Sequence, residues 1–307
     1  MSLLVVGSVA LDTVKTPFGN IQEGLGGSAT YFATAASFFT DVRLVAVIGE
    51  DFPNEHLQFL KERGIDLSGL EHSLGKTFRW CGEYGYKLNE AKTLQTDLNV
   101  FESFRPKLPP SYANTPYLFL ANIDPTLQWD VMQQVVGRKL TACDTMNFWI
   151  EGNREALIKT LSGVDILMIN EGEARALSGE FNLAKAAQVI ILFGPRALIV
   201  KRGEYGALMF NGSKIFAVPA YPLENVFDPT GAGDSFAGGM MGYIAQNAPS
   251  GEVSDRILRQ AAIYGSAIAS FCVEAFSLDR LRSLTQDDIQ KRYKEFEELT
   301  SYEYQQD

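Results

Sequence analysis

A chain of 307 residues, 46% hydrophobic and 21% charged, is long enough for one large α/β domain or two smaller ones and has the make-up of an ordinary globule. Its formal net charge of −10 argues against a surface built for nucleic acid or anionic membrane, since both call for a basic field. Cys81, Cys143 and Cys272 lie far apart with no CxxC pairing, and His56 and His72 are the sole histidines; a disulfide framework, a zinc site and a histidine-based hydrolase are all disfavoured, and a reducing cytoplasm fits.

The chain opens with Met1–Gly7, which lacks basic residues and runs straight towards Asp12, so it reads as a first strand rather than a signal peptide. Short apolar runs predict strands at Leu3–Val9, Leu44–Gly49, Tyr117–Ala121, Leu140–Thr145, Ile166–Ile169 and Leu198–Lys201. Helical patterns stand between and after them. They cover Ser28–Phe39, Pro53–Arg63 with proline in the first turn, Glu171–Leu177, Asp234–Gln246, Ser254–Phe271 and Gln286–Leu299. Continuous apolar strands alternating with helices predict a mostly parallel sheet covered on both faces. No run approaches about eighteen consecutive apolar residues, so no membrane-spanning helix is expected. Neither a repeat nor a linker divides the chain, and residues 1–307 read as one α/β domain.

The segment Lys76–Phe104 breaks this rhythm. Phe78, Trp80, Tyr84 and Tyr86 fall there in partly alternating, β-leaning patterns, which predict antiparallel strands. A thin sheet cannot bury so many rings alone. They are expected to cover a substrate or to clasp a second copy of the chain in a homodimer.

Candidate chemistry gathers where strands end, the place at which parallel sheets bind ligands. In Asp228-Pro229-Thr230-Gly231-Ala232-Gly233-Asp234, two carboxylates flank a glycine turn that opens into an apolar helix. Such a turn aims backbone N–H groups and the helix dipole at one point, an arrangement suited to a phosphate. Serine or asparagine would suffice as a cap, so an acid beside an anion site needs another role. Asp234 could take the proton of a hydroxyl that attacks a phosphoryl group held there. Asp12 follows the first strand, and Gly26-Gly27 precedes a helix. Asn170-Glu171-Gly172-Glu173 sits at a strand-to-helix junction, where two acids also suit a helix N-terminus. Lys201-Arg202-Gly203-Glu204-Tyr205-Gly206 closes the last predicted strand and also reads as a tight hairpin. Asp144 and Asn147 follow another strand and are candidates for the phosphate or substrate side.

These elements, in this order, resemble the PfkB (ribokinase-like) family of sugar and nucleoside kinases. The run from Asp228 resembles that family's second signature, and Gly26-Gly27 its N-terminal diglycine. Asn170–Glu173 resembles its N-x-x-E element and Gly203–Gly206 its G-x-x-G nucleotide loop. The likeness covers most of the chain. It implies a ribokinase-like α/β fold with a small β-sheet lid formed by residues 13–23 and 76–104. It further implies transfer of the γ-phosphoryl group of ATP to a hydroxyl of a small carbohydrate, with a nucleoside as the alternative acceptor. Asp234 would be the base, and Gly231, Ala232 and Gly233 the anion hole. Asp12, Gly26, Gly27 and Tyr31 would bind the acceptor. The nucleotide would meet Lys201, Gly203, Gly206, Asp228, Gly231, Gly233 and Gly265, with Asp228 bracing the turn or ordering magnesium waters. Glu173, supported by Asn170, would hold the water shell of Mg²⁺, and a monovalent cation such as K⁺ could serve beside it.

Three departures from the family pattern stand out. Ala10 and Tyr31 occupy positions where many of its sugar kinases carry asparagine, which weakens the case for a small free sugar and adds weight to an aromatic or larger acceptor. Lys201 replaces a common threonine or serine. Competing classes fare worse. A non-catalytic binder should have lost Asp234 or a turn glycine, a dehydrogenase would need G-x-G-x-x-G after the first strand, and no P-loop motif occurs.

Overall fold

The computed structural model describes residues 1–301, and among them the strands form two sheets. In chain order the strands are β1 (Ser2–Val6), β2 (Ala10–Thr16), β3 (Gly19–Gly26), β4 (Asp41–Ile48), β5 (Asp66–His72), β6 (Phe78–Tyr84), β7 (Ala91–Asp97), β8 (Tyr117–Leu120), β9 (Leu140–Cys143), β10 (Ile166–Asn170), β11 (Ala197–Lys201), β12 (Ala207–Asn211) and β13 (Lys214–Val218). The helices are α1 (Ser28–Ala36), α2 (Asn54–Glu62), α3 (Pro125–Gln134), α4 (Asn147–Gly152), α5 (Arg154–Leu161), α6 (Glu171–Ser178), α7 (Leu183–Ile191), α8 (Ala232–Asn247), α9 (Asp255–Cys272), α10 (Asp279–Ser283) and α11 (Gln286–Thr300).

The large sheet runs β13-β12-β11-β10-β9-β8-β1-β4-β5, parallel from β11 to β5, with β12 and β13 added as an antiparallel hairpin. Its central strands are mostly apolar because both faces are covered. Leu3 and Val5 enter the core built with Phe32 of α1, Met240 of α8 and Ile268 of α9. Leu4 and Val6 enter the opposite core with Val131 of α3, Leu157 of α5 and Ile190 of α7. Each such fully buried side chain is worth about 1.5–3 kcal/mol. Helix α8 lies close to both neighbours. A Cβ on Gly238 would come within 2.3 Å of the Phe32 carbonyl, and one on Gly239 within 3.0 Å of Ile268. The glycines that follow Asp234 therefore seat the helix that carries it.

The small sheet, β3-β2-β6-β7, is the expected lid, wider than anticipated at its base. It is mixed rather than wholly antiparallel, because β2 pairs with β6 in parallel while β2–β3 and β6–β7 are antiparallel hairpins. Beyond Asp97 the chain leaves the sheet in a short 3₁₀ turn at Asn99–Phe101. No helix among the described residues is long and apolar enough to cross a membrane.

Candidate active site

The carboxyl ends of β9, β10 and β11, the start of α8 and the inner face of the lid converge on one cleft. Asp12, in β2, is 7% exposed and accepts the backbone N–H of Gly27. Gly27 has a φ of 94°, which glycine adopts freely, and its N–H is thereby turned to the carboxylate. At Gly26 a Cβ would lie 2.0 Å from Asp12 Oδ2, so the diglycine makes room for the acid. Burial pushes the Asp12 carboxyl up to about 7; the Gly27 bond opposes this, and the charges of Asp228 and Asp234 add to it.

The glycine turn has the backbone that the sequence suggests. Gly231 stands in the left-handed region with φ 74°, and α8 begins at the next residue. Asp234 lies in its first turn, where the dipole favours an anion. Lys201 approaches from the end of β11; a Cβ on Gly233 would come within 2.9 Å of its ammonium. Burial raises the Asp234 pKa, while Lys201 and a hydrogen-bonding contact from Asp144 hold it down. Asp144 is 5% exposed, and burial drives its carboxyl well above the usual range. Its contact with Asp234 is invisible in the sequence, although an acid closing a parallel strand is the one signal available. Asn147, by contrast, is exposed at the start of α4.

Several residues occupy places other than those expected. Tyr31 is 2% exposed, and its ring packs flat beneath Gly231, where a Cβ would meet ring atoms at 2.4 Å. It supports the anion turn and offers no open face to an acceptor. Asp228, 1% exposed, accepts from the N–H groups of Thr230 at 2.9 Å and Ser277 at 3.2 Å, so of its expected roles it takes that of bracing the turn and does not open towards a nucleotide. Gly265 faces away from the cleft: a Cβ there would meet the Phe236 carbonyl at 2.7 Å, and its role is to let α9 approach α8. Gly206 serves the hairpin, with φ 78° and the Val218 carbonyl 2.0 Å from where a Cβ would sit. Gly203 remains at the cleft edge, met by the lid residue Asn89, whose amide also bonds Glu204 at 3.3 Å.

Asn170 and Glu173 form a reciprocal capping box, each side chain accepting the other's N–H at 2.8 Å. The local reading and the site reading thus coexist, because the box fixes Glu173 beside Lys201 with its carboxyl raised by burial and lowered by that ammonium.

Three of the lid's rings share one strand face. Asp12 is the direct partner of Trp80 across β2 and β6, so Phe78, Trp80, Gly82 and Tyr84 share the face that carries Asp12. The Trp80 indole lies over Gly82, where a Cβ would come within 2.2 Å of it, and its Nε1 donates to the Thr93 hydroxyl at 3.2 Å. The opposite face is polar. Thr13, Glu23, Arg79, Cys81, Gln95 and Asp97, together with Trp80, line a recess of about 220 Å³ there, with Arg79 paired to Glu23 at 2.8 Å. Of the aromatic residues that motivated a homodimer clasp, Phe78, Trp80 and Tyr84 share the strand face of Asp12, while Tyr86 is 88% exposed.

A model of the pfkB family of carbohydrate kinases matches residues 2–281, and the chain belongs to that family. It is 30% identical over 255 residues to a cytidine kinase of Thermococcus kodakarensis, covering 81% of this chain and 90% of that one. The crystal structure of a Methanocaldococcus jannaschii nucleoside kinase, described as an archaeal member of the ribokinase family, has a TM-score of 0.74 at 22% identity, covering 96% of this chain and 98% of that one. A putative ribokinase II of E. coli, in complex with ATP and Mg²⁺, gives 0.76 at 17% identity, with 96% and 99% covered. The fold is ribokinase-like.

Proposed function

We propose that this chain transfers the γ-phosphoryl group of ATP to a hydroxyl of a nucleoside, with Asp234 as general base. The observation that carries the nucleoside is Trp80, an indole packed against Gly82 beside Asp12. A flat ring next to a hydroxyl-accepting carboxylate suits an acceptor that joins a heterocycle to a sugar, and base–aromatic stacking is worth about 1–3 kcal/mol. The likeness to cytidine and nucleoside kinases supports the same reading. A free sugar is the second reading, favoured by Asp12 itself. Against it, Ala10 and Tyr31 are buried at 0% and 2% and supply no amide.

In this mechanism Asp234 accepts the acceptor hydroxyl proton as the oxygen attacks in line. The N–H groups of Gly231 and Gly233 and the Lys201 ammonium stabilise charge on the phosphoryl oxygens, while that of Ala232 is bonded to the Pro229 carbonyl at 3.2 Å. Among the described residues no group of three His, Cys, Asp or Glu side chains could cage an ion. Magnesium arriving on polyphosphate would keep most of its waters, and Glu173, supported by Asn170, would hold one of them. When bound, the ion neutralises phosphate charge.

The test is product analysis with ATP, Mg²⁺ and a panel of cytidine, adenosine, ribose and fructose. A nucleoside monophosphate is expected, and Trp80→Ala should raise KM for the nucleoside about 10–100-fold while leaving the sedimentation coefficient unchanged. Transfer to free sugars alone would overturn the nucleoside assignment.

A further inference from the structure

We propose that Arg79 and Asp51 are positioning residues for the acceptor: one guanidinium, bonded both to Asp51 behind β4 and to Glu23 of β3, sets the lid so that Trp80 stands where the acceptor binds. This rests on the reading of Trp80 as an acceptor contact. It adds a network that lies outside the glycine turn, the diglycine and the capping box.

The network begins where β4 leaves the large sheet at Ile48 and the chain turns towards α2. There it is stitched to the foot of the lid. The Gly49 N–H donates to the Thr77 hydroxyl at 3.0 Å. Asp51 Oδ1 accepts from the Thr77 N–H at 2.7 Å and from the Thr77 hydroxyl at 2.8 Å. Thr77 is fully buried, and β6 begins at the next residue. The second Asp51 oxygen takes Arg79 Nη1 at 2.8 Å. That nitrogen also donates to the Thr77 carbonyl at 3.1 Å, while Arg79 Nε reaches Glu23 Oε1 at 2.8 Å. The side chains of Arg79 and Asp51 are 23% and 29% exposed, so their pair is better sheltered than an ordinary surface ion pair.

Backbone strain marks the same place. Among the described residues three that are not glycine have positive φ, and two of them belong to this network. Asn99, at 49°, donates its side-chain amide to the Thr77 carbonyl at 2.9 Å. Glu23, also at 49°, sits beside the irregularity between Asp12 and Val14 in the β2–β3 pairing, with its N–H on the Thr13 hydroxyl at 3.2 Å. Asparagine bears this conformation readily and glutamate does not, so the fold holds Glu23 against its preference, and such outliers gather at working sites.

Arg79 and Trp80 are neighbours along β6, so their side chains leave opposite faces of the strand, and Trp80 pairs directly with Asp12. Fixing the guanidinium on one face therefore fixes the indole on the other. The two anchors differ: Asp51 follows a strand of the large sheet, and Glu23 belongs to the edge of the lid. A planar fork can hold two carboxylates in set directions, which a point charge cannot. None of these bonds reaches Asp234 or the glycine turn, so the network acts on where the acceptor sits and not on the chemical step.

Cytidine, adenosine, ribose and fructose are uncharged, so salt acts on their binding only through the protein. With whichever of them the wild type phosphorylates, Arg79→Met should raise the acceptor Kd, read by calorimetry without nucleotide, about 3–10-fold and leave kcat at saturation within about two-fold. Raising NaCl from about 0.05 to 0.5 M should weaken acceptor binding to the wild type and leave Arg79→Met unmoved. Glu23→Gln, at the exposed end of the network, should shift the Kd in the same direction with little change in melting temperature. Asp51→Asn combined with Arg79→Met should bind no more weakly than the worse single variant, because the two residues act as one unit. A lowered melting temperature with an unchanged Kd in Arg79→Met would make the network a structural support alone and overturn the proposal. An effect on kcat alone, or single effects that multiply in the double variant, would overturn it equally. Failure of the kinase reading would look different: the wild type would phosphorylate none of the four, yet amide deuterium exchange in β6 should still quicken in Arg79→Met. Exchange equal to wild type would overturn the clamp whatever the reaction.

Discussion

The Thr230 hydroxyl donates to the phenol of Tyr84 across 3.2 Å, which ties the lid's inner face to the anion turn. Thr230 belongs to the loop that opens α8, and Tyr84 ends β6, the strand that starts beside Asp12. One bond thus joins the part of the site that would cover the acceptor to the part that would hold the phosphate. Burial pushes the Tyr84 phenol up to about 12, so it stays neutral and remains a partner across the working range. Tyr84→Phe removes the bond and keeps the ring. A net hydrogen bond of about 0.5–1.5 kcal/mol predicts a rise in acceptor KM of about 2–10-fold with kcat nearly unchanged, measured by steady-state kinetics. A fall in kcat with constant KM would instead make the phenol a participant in the chemical step.

Asp234→Asn tests the base directly. Asparagine keeps the size and the capping ability of the side chain but cannot take a proton from a hydroxyl. Single-turnover transfer at saturating ATP should slow by about 10²–10⁴-fold, with nucleotide affinity and melting temperature close to wild type. A rate within a few-fold of wild type would reduce Asp234 to a helix cap. The pH dependence has a definite sign. Burial raises the Asp234 carboxyl to about 6, and the ionised form is the base, so kcat should climb as pH rises through that region and level off above it. A plateau reaching below pH 5 would contradict the raised value.

Much of this site was legible because its parts are local. The turn from Asp228 to Asp234, the capping box of Asn170 and Glu173, and the diglycine beside Asp12 are each set by short-range backbone geometry. The buried strands were legible because parallel strands covered on both faces are apolar without interruption. What stayed hidden depends on contacts between distant parts of the chain. Tyr31 looked like an acceptor ligand because nothing near it in sequence says that Gly231 lies on its ring. The meeting of Asp144 with Asp234 is likewise tertiary. The strand β5 escaped notice for another reason. It is an edge strand whose exposed and half-buried residues leave no apolar run. Helices α3, α4, α5 and α7 were not read from the sequence either, although they are of much the same length as α1, α2 and α6, which were.

Lys201 is the position at which the chain departs from the family's common threonine or serine, and the structure brings its ammonium up to Gly233 of the turn. Its charge also holds down the Asp234 and Glu173 carboxyls against burial. Lys201→Met should therefore do two things at once. Loss of a cation at the phosphoryl site should lower kcat about 10²–10³-fold, the size expected for one preorganised transition-state contact. Without the ammonium Asp234 should hold its proton more tightly, so the acid limb of kcat should move to higher pH. A variant with lowered kcat and an unmoved limb would assign Lys201 to the phosphate alone.

The last prediction concerns a cost that the cleft imposes on the fold. Asp12 is buried, and its carboxyl is raised to about 7 from an ordinary value near 3.8. A group whose folded pKa lies above its unfolded one binds more protons in the folded state, so stability falls as pH rises between the two values. At pH 5 Asp12 is mostly protonated in the folded protein, and much of the penalty is absent. At pH 8 it is ionised without a cationic partner, and the penalty is fully present at about 2–4 kcal/mol. Asp12→Asn removes the charge and leaves the volume. The ligand-free variant should melt higher than wild type at pH 8, gain little at pH 5, and bind the acceptor more weakly at both. Thermal melts of the two proteins across this range, with and without acceptor, give the answer. An equal change in melting temperature at both values would show that the substitution acts through packing beside Gly26 and Gly27 and not through the buried charge.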